Sequence, residues 1–189
     1  MDDKQWLADY FGRYKESIFA VGVFPQLVEL KELLVKVRDR GKKVILAGNG
    51  GSAAIASHCA VDFTKCANIR CINFNEADLI TCFANDYGYE NWLAKALEFY
   101  ADDGDMIILI SSSGKSANMV RAAEYSSARG LKLVTFTGFA ADNPLKGLGG
   151  LNFWVNSKAY NIVEMTHHIW LLAACDLIVG HAEYPASSA

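Results

Sequence analysis

Five short apolar runs, each leading into or out of a helical pattern, constrain this chain more than any other feature. They are Lys43–Ala47 (KVILA), Arg70–Phe74, Met106–Ile110 (MIILI), Lys132–Phe136 and Phe153–Val155. Helical spacing fills the intervals: Ser52–Lys65, Ala77–Ala84, Tyr89–Tyr100, Ser116–Arg129 with Gly130 at its C-cap, and Ile162–Val179. Residues from about Lys4 to Arg40 read as two further helices, divided near Gly22–Pro25. Alternating strands and helices require right-handed crossovers and a mostly parallel sheet. The expected fold is therefore α/β, with a five-stranded sheet covered by helices on both faces. Ligands of such sheets bind at the carboxyl ends of the strands.

Two turns directly after strands stand out. Gly48-Asn49-Gly50-Gly51-Ser52 carries three glycines in four positions, which lets backbone N–H groups approach a ligand closely. A plain tight turn would use the same glycines. Ser111-Ser112-Ser113-Gly114-Lys115-Ser116 places four hydroxyls between a buried strand and a helix N-terminus. Free N–H groups and the helix dipole favour an anion there. A single serine would suffice for capping. The P-loop spacing is absent, so Lys115 reads as a solvated or outlying residue.

Two polar pairs interrupt apolar helix faces: His58 with Asp62, and Glu164 with His168, each four residues apart and so on one side of its helix. Buried carboxylates and imidazoles need partners. These four could meet one another, a metal or a substrate. His167 reads as a core histidine, and Trp92, Trp154 and Trp170 as core or subunit contacts.

AGNGGSAAIASH, ANDYGYEN and ISSSGKSANMVRAAEYSSARGLKLVTFTG, in that order, resemble the sugar isomerase (SIS) domain, and more narrowly its phosphoheptose isomerase branch. The motifs are strong from about Gly41 to Gly138 and weaker to Val179. The resemblance implies phosphate binding at Ser111, Ser112, Ser113 and Ser116, and pocket lining by Asn49, Gly51, Ser52, Asn85 and Asp86. It implies a helical extension over 1–40, a SIS domain over 41–189 and a homotetramer. The expected activity is aldose–ketose isomerisation of a sugar phosphate, first of all sedoheptulose 7-phosphate, for heptose synthesis. Asp62, Glu164 and His168 are the expected catalytic groups. His58, Asp62, Glu164 and His168 are the expected ligands of a zinc ion.

The chain departs from that family's pattern. The family's first helix carries His and then Glu; here Asp62 replaces Glu. The last helix carries Gln and, eight residues on, His; here Glu164 and Leu172 stand there, and His168, one turn earlier, is the substitute. Two non-catalytic readings stay open: a sugar-phosphate sensor, and an oligomeric scaffold of the kind that binds a replication initiator.

Composition narrows the partners. A net charge of −3 does not suit nucleic acid or an acidic membrane. Five cysteines without a C-x-x-C pair suit reduced thiols in a cytoplasm. The charged start MDDKQWLADYFGRYK lacks a signal peptide's apolar stretch, and no membrane span is expected.

Overall fold

The computed structural model describes residues 2–183. Its strands are β1 (Val44–Gly48), β2 (Cys71–Asn73), β3 (Met106–Ser111), β4 (Lys132–Thr137) and β5 (Leu151–Trp154). All pairs are parallel, in the order β2-β1-β3-β4-β5. The helices are α1 (Asp3–Ile18), α2 (Phe24–Asp39), α3 (Gly51–Lys65), α4 (Ala77–Tyr87), α5 (Trp92–Tyr100), α6 (Ala117–Ala128), α7 (Pro144–Leu148) and α8 (Tyr160–Val179). A 3-10 turn at Val21–Val23 divides α1 from α2, as the sequence leads one to expect.

The sheet is sandwiched because its central strands are apolar on both sides. Val44, Leu46, Ile108, Ile110, Val134, Phe136 and Phe153 face one core, filled by α2, α3 and α8. Ile45, Ala47, Ile107, Leu109 and Leu133 alternate with them and face a second core, filled by α5 and α6 with Leu145 of α7. Phe136 and Phe153 stack across the β4–β5 pair, with centroids 4.4 Å apart.

Helix α8 is long and apolar enough to cross a membrane, with a mean hydropathy of 1.5. Here it is a core helix. Ile162, Val163, Thr166, His167, Trp170, Leu171, Ala174 and Cys175 are buried, and it packs on α1, α2 and α3.

Two boundaries differ from the sequence reading. Helix α4 runs on through Asn85 and Asp86 to Tyr87, where a turn was expected. Gly88, at φ +84°, ends it, with its N–H donating to the Ala84 carbonyl. Helix α7 has too few residues to show helical periodicity, and Pro144 at its start reads as a loop signal.

The chain leaves β1 for one side of the sheet and enters β3 on the other. The carboxyl ends of β1 and β3 thus flank the switch point where parallel sheets open a crevice.

Candidate functional site

Both unusual turns meet at that crevice. A cavity of about 280 Å³ is lined by Asn49, Gly50, Gly51, Ser52, Ile110, Ser111, Ser112, Ser113, Ser116, Tyr160 and Glu164. The serine turn is tight: Gly114 N–H donates to the Ser111 carbonyl at 3.0 Å, and Lys115 N–H to Ser113 Oγ at 3.2 Å. Gly114 lies at φ +61°, and a Cβ there would collide with Asn143, so only glycine fits. Ser116 is the N-cap of α6, yet its side chain makes no capping bond. Capping therefore does not account for its hydroxyl, which lines the cavity instead. Buried Ser112 Oγ also makes no hydrogen bond of ordinary geometry. The Ser116 hydroxyl and the free N–H groups at the helix N-terminus form a place for an anion, with the Ser112 hydroxyl shared between it and Glu164.

The glycine turn is tied to the serine turn by a pair the sequence reading missed. Asn49 Nδ2 donates to Asn118 Oδ1 at 3.0 Å, and Asn118 Nδ2 donates to Asn49 Oδ1 at 2.9 Å. Tyr89 Oη adds a bond to Asn49 Oδ1 at 3.2 Å. Asn118 is buried in the first turn of α6. Its polarity on the face that continues with Ala122 was the available signal.

Glu164 is the one carboxylate lining the cavity. It lies against Gly51, where an added Cβ would overlap its carboxyl group. Burial pushes its pKa above the usual glutamate range, and the Ser112 hydroxyl opposes that shift. Tyr160, one turn before Glu164 on α8, lines the same cavity. The i, i+4 spacing to Glu164 could have revealed it.

The four expected metal and catalytic residues do not gather. His58, Asp62 and His168 lie outside the cavity lining, as a chain of their own. His168 Nε2 and His58 Nδ1 are 3.0 Å apart, and His58 Nε2 is 3.2 Å from Asp62 Oδ2. Burial lowers the His168 pKa, the His58 ring lowers it further, and Asp62 opposes both. Both His58 nitrogens are engaged, while Glu164 is turned to Gly51. Among the described residues, no three of His, Cys, Asp and Glu are placed to hold a metal. The set does not fit zinc in this subunit, because a zinc centre needs three or four converging donors. Leu172 packs against the apolar core.

Asn85 and Asp86 also stand apart. Asn85 Nδ2 donates to Asp86 Oδ1 at 3.0 Å, and Asp86 lines a separate cavity with Phe83, Phe99 and Tyr100. Tyr89, just beyond Gly88, is the residue of this segment that reaches the glycine turn.

Known proteins resemble this chain in sequence and fold. Residues 23–138 match the SIS domain family. A phosphoheptose isomerase of Thermodesulfovibrio yellowstonii is 36% identical over 172 residues, covering 88% of this chain and 85% of that one. Another, from Fusobacterium nucleatum, is 35% identical over 144 residues, covering 74% of each. The solved structure of a phosphoheptose isomerase from Francisella tularensis shares the fold, with a TM-score of 0.86 at 23% identity over 94% of this chain and 98% of that one.

Proposed function

Because this chain belongs to the SIS domain family, on its phosphoheptose isomerase branch, we propose that it interconverts a ketose phosphate and its aldose isomer, with sedoheptulose 7-phosphate as substrate. The product would be a heptose 7-phosphate for lipopolysaccharide, capsule or another glycoconjugate. One observation carries this reading: an anion-holding serine turn and a partly buried carboxylate line the same cavity.

The phosphate is held by the hydroxyls of Ser111, Ser112, Ser113 and Ser116 and by the free N–H groups at the start of α6. Asn49 and Ser52 line the path of the sugar hydroxyls. The Glu164 carboxylate takes a proton from C1 of the ketose, leaving an enediolate, and returns it to C2 of the aldose. Its raised pKa brings it nearer the operating pH, where a carboxylate base is most effective. Replacing Glu164 by Gln should cut turnover by roughly 10²–10⁴-fold while the sugar phosphate still binds. Unchanged turnover would place the base elsewhere.

The working form is a cytoplasmic homotetramer in this reading. Trp6, Phe11, Phe19, Val21 and Phe24 at the start of the chain, with Val61 and Ile169, leave an apolar surface exposed on one subunit, which a partner copy would cover. Residues 1–40 then serve assembly as well as the core. A second reading, a sensor that binds the sugar phosphate without converting it, is favoured by Leu172, which packs on the core where the family's last helix carries a histidine.

A further inference from the structure

Isomerisation needs a second group. As the base removes the C1 proton, the C2 oxygen must gain one, and the C1 hydroxyl must later lose one. The histidines expected for this task lie outside the cavity. Within its lining, Glu164 is committed to carbon, Ser111, Ser112, Ser113 and Ser116 to phosphate, and the Asn49 amide to Asn118 and Tyr89. Of the remaining hydroxyls, Ser52 and Tyr160, the phenol gives up a proton far more readily than the alkanol.

Resting on the isomerase reading above, we propose that Tyr160 is that group: its phenol protonates the C2 oxygen and recovers a proton from the C1 hydroxyl. Tyr160 and Glu164 are four residues apart at the start of α8, so both side chains project over the same stretch of cavity. Tyr160 is 60% exposed, yet its ring is braced. Phe139 packs edge-on against it, centroids 4.9 Å apart and planes at 72°. Phe139 itself lies at φ +57°, a conformation rare for a bulky residue. Its N–H donates to the Ser157 carbonyl at 3.0 Å, which pins the loop after β4 to the loop leading into α8. A residue in a strained backbone conformation thus packs against the aromatic ring that lines the cavity.

The proton balance closes without an oxidant or a metal. In the first half, the C1–H bond breaks to the Glu164 carboxylate, the C1=C2 bond forms, and the phenol O–H proton passes to O2. In the second half, the O1–H proton returns to the phenolate as the C1=O bond forms. Glu164 delivers its proton to C2. Both residues end as they began.

The test compares Tyr160→Phe with the parent protein on sedoheptulose 7-phosphate in D₂O, following product and C1 deuteration by NMR. The variant keeps the ring and its contact with Phe139, so folding and phosphate binding should hold. We expect kcat to fall about 10²-fold with KM within about threefold. We also expect C1 proton exchange to outpace product formation, since Glu164 still works on carbon. A merely structural role would not separate exchange from conversion. A variant with parental kcat overturns the assignment and leaves the isomerase reading standing. A parent inactive on the substrate overturns both.

Discussion

Asn49, which lines the cavity, and Asn118, which does not, exchange two side-chain hydrogen bonds of 3.0 and 2.9 Å. The reciprocal pair fixes the loop after β1 to the helix after β3. Both halves of the anion site are therefore set by one contact that is fully satisfied before any ligand arrives.

Replacing Asn118 by Ala leaves Asn49 Nδ2 without its partner, while Asn49 Oδ1 keeps the bond from Tyr89 Oη. Losing such a hydrogen bond costs on the order of 1 kcal/mol. Thermal unfolding should show that loss, and calorimetry should show weaker sugar-phosphate binding. Binding at parental strength would mean that the glycine turn holds its shape unaided.

Gly51 is where Glu164 rests, and a methyl group there would collide with the carboxyl. Gly51→Ala should lower kcat at least tenfold by displacing the base, while phosphate held by the serine turn binds nearly as before. A variant with unimpaired kcat would separate Glu164 from the chemistry.

Glu164→Gln tests the same group through stability. The folded state raises the Glu164 pKa, so it holds the proton more tightly than the unfolded chain does. That contribution is fully present below the usual glutamate pKa and is lost as pH rises through the raised one. The Gln variant should therefore match the parent in Tm at pH 4 and exceed it at pH 8. Catalysis follows the same titration: kcat/KM should fall as pH drops through the raised pKa, since the base must be ionised.

His167 supplies the opposite slope. It is fully buried, with Nε2 bonded to the Thr137 carbonyl at 2.9 Å, and burial pushes its pKa down to about 4 from 6.5. Below pH 6.5 the unfolded chain binds a proton that the folded one refuses until about pH 4. Stability should fall across that window by on the order of 3 kcal/mol. Denaturant titrations of His167→Leu should show a flatter dependence there. An unchanged slope would assign the acid sensitivity to other groups.

Much of this was legible in the chain itself. MIILI, short and bounded by Gly104-Asp105 and by serines, reads as a strand buried on both faces, and the serine turn after it announces an anion site wherever that strand ends. The registers of β1 with β3 and of β3 with β4 then bring Gly48 and Ser111 to the same edge. What sequence spacing could not supply was the relation between helices. His58, Asp62, Glu164 and His168 read as one constellation because each pair shares a helix face. The rotation of α8 against α3 sends Glu164 toward Gly51 and His168 toward His58. Likewise, Asn85 and Asp86 read as a turn, but Gly88 defers the helix end by three residues and leaves Asp86 lining a separate cavity with Phe83 and Phe99.

Central to the account is conversion at a site whose base is Glu164. The most direct measurement is an NMR time course of the purified protein with sedoheptulose 7-phosphate in D₂O, alongside calorimetric binding of the same sugar. The account predicts an aldose heptose 7-phosphate, carrying deuterium at C2 to the extent that the proton on Glu164 exchanges with solvent before its return, formed at a rate that collapses in Glu164→Gln. Tight binding with neither aldose product nor deuterium incorporation would contradict it and identify the protein as a sugar-phosphate sensor.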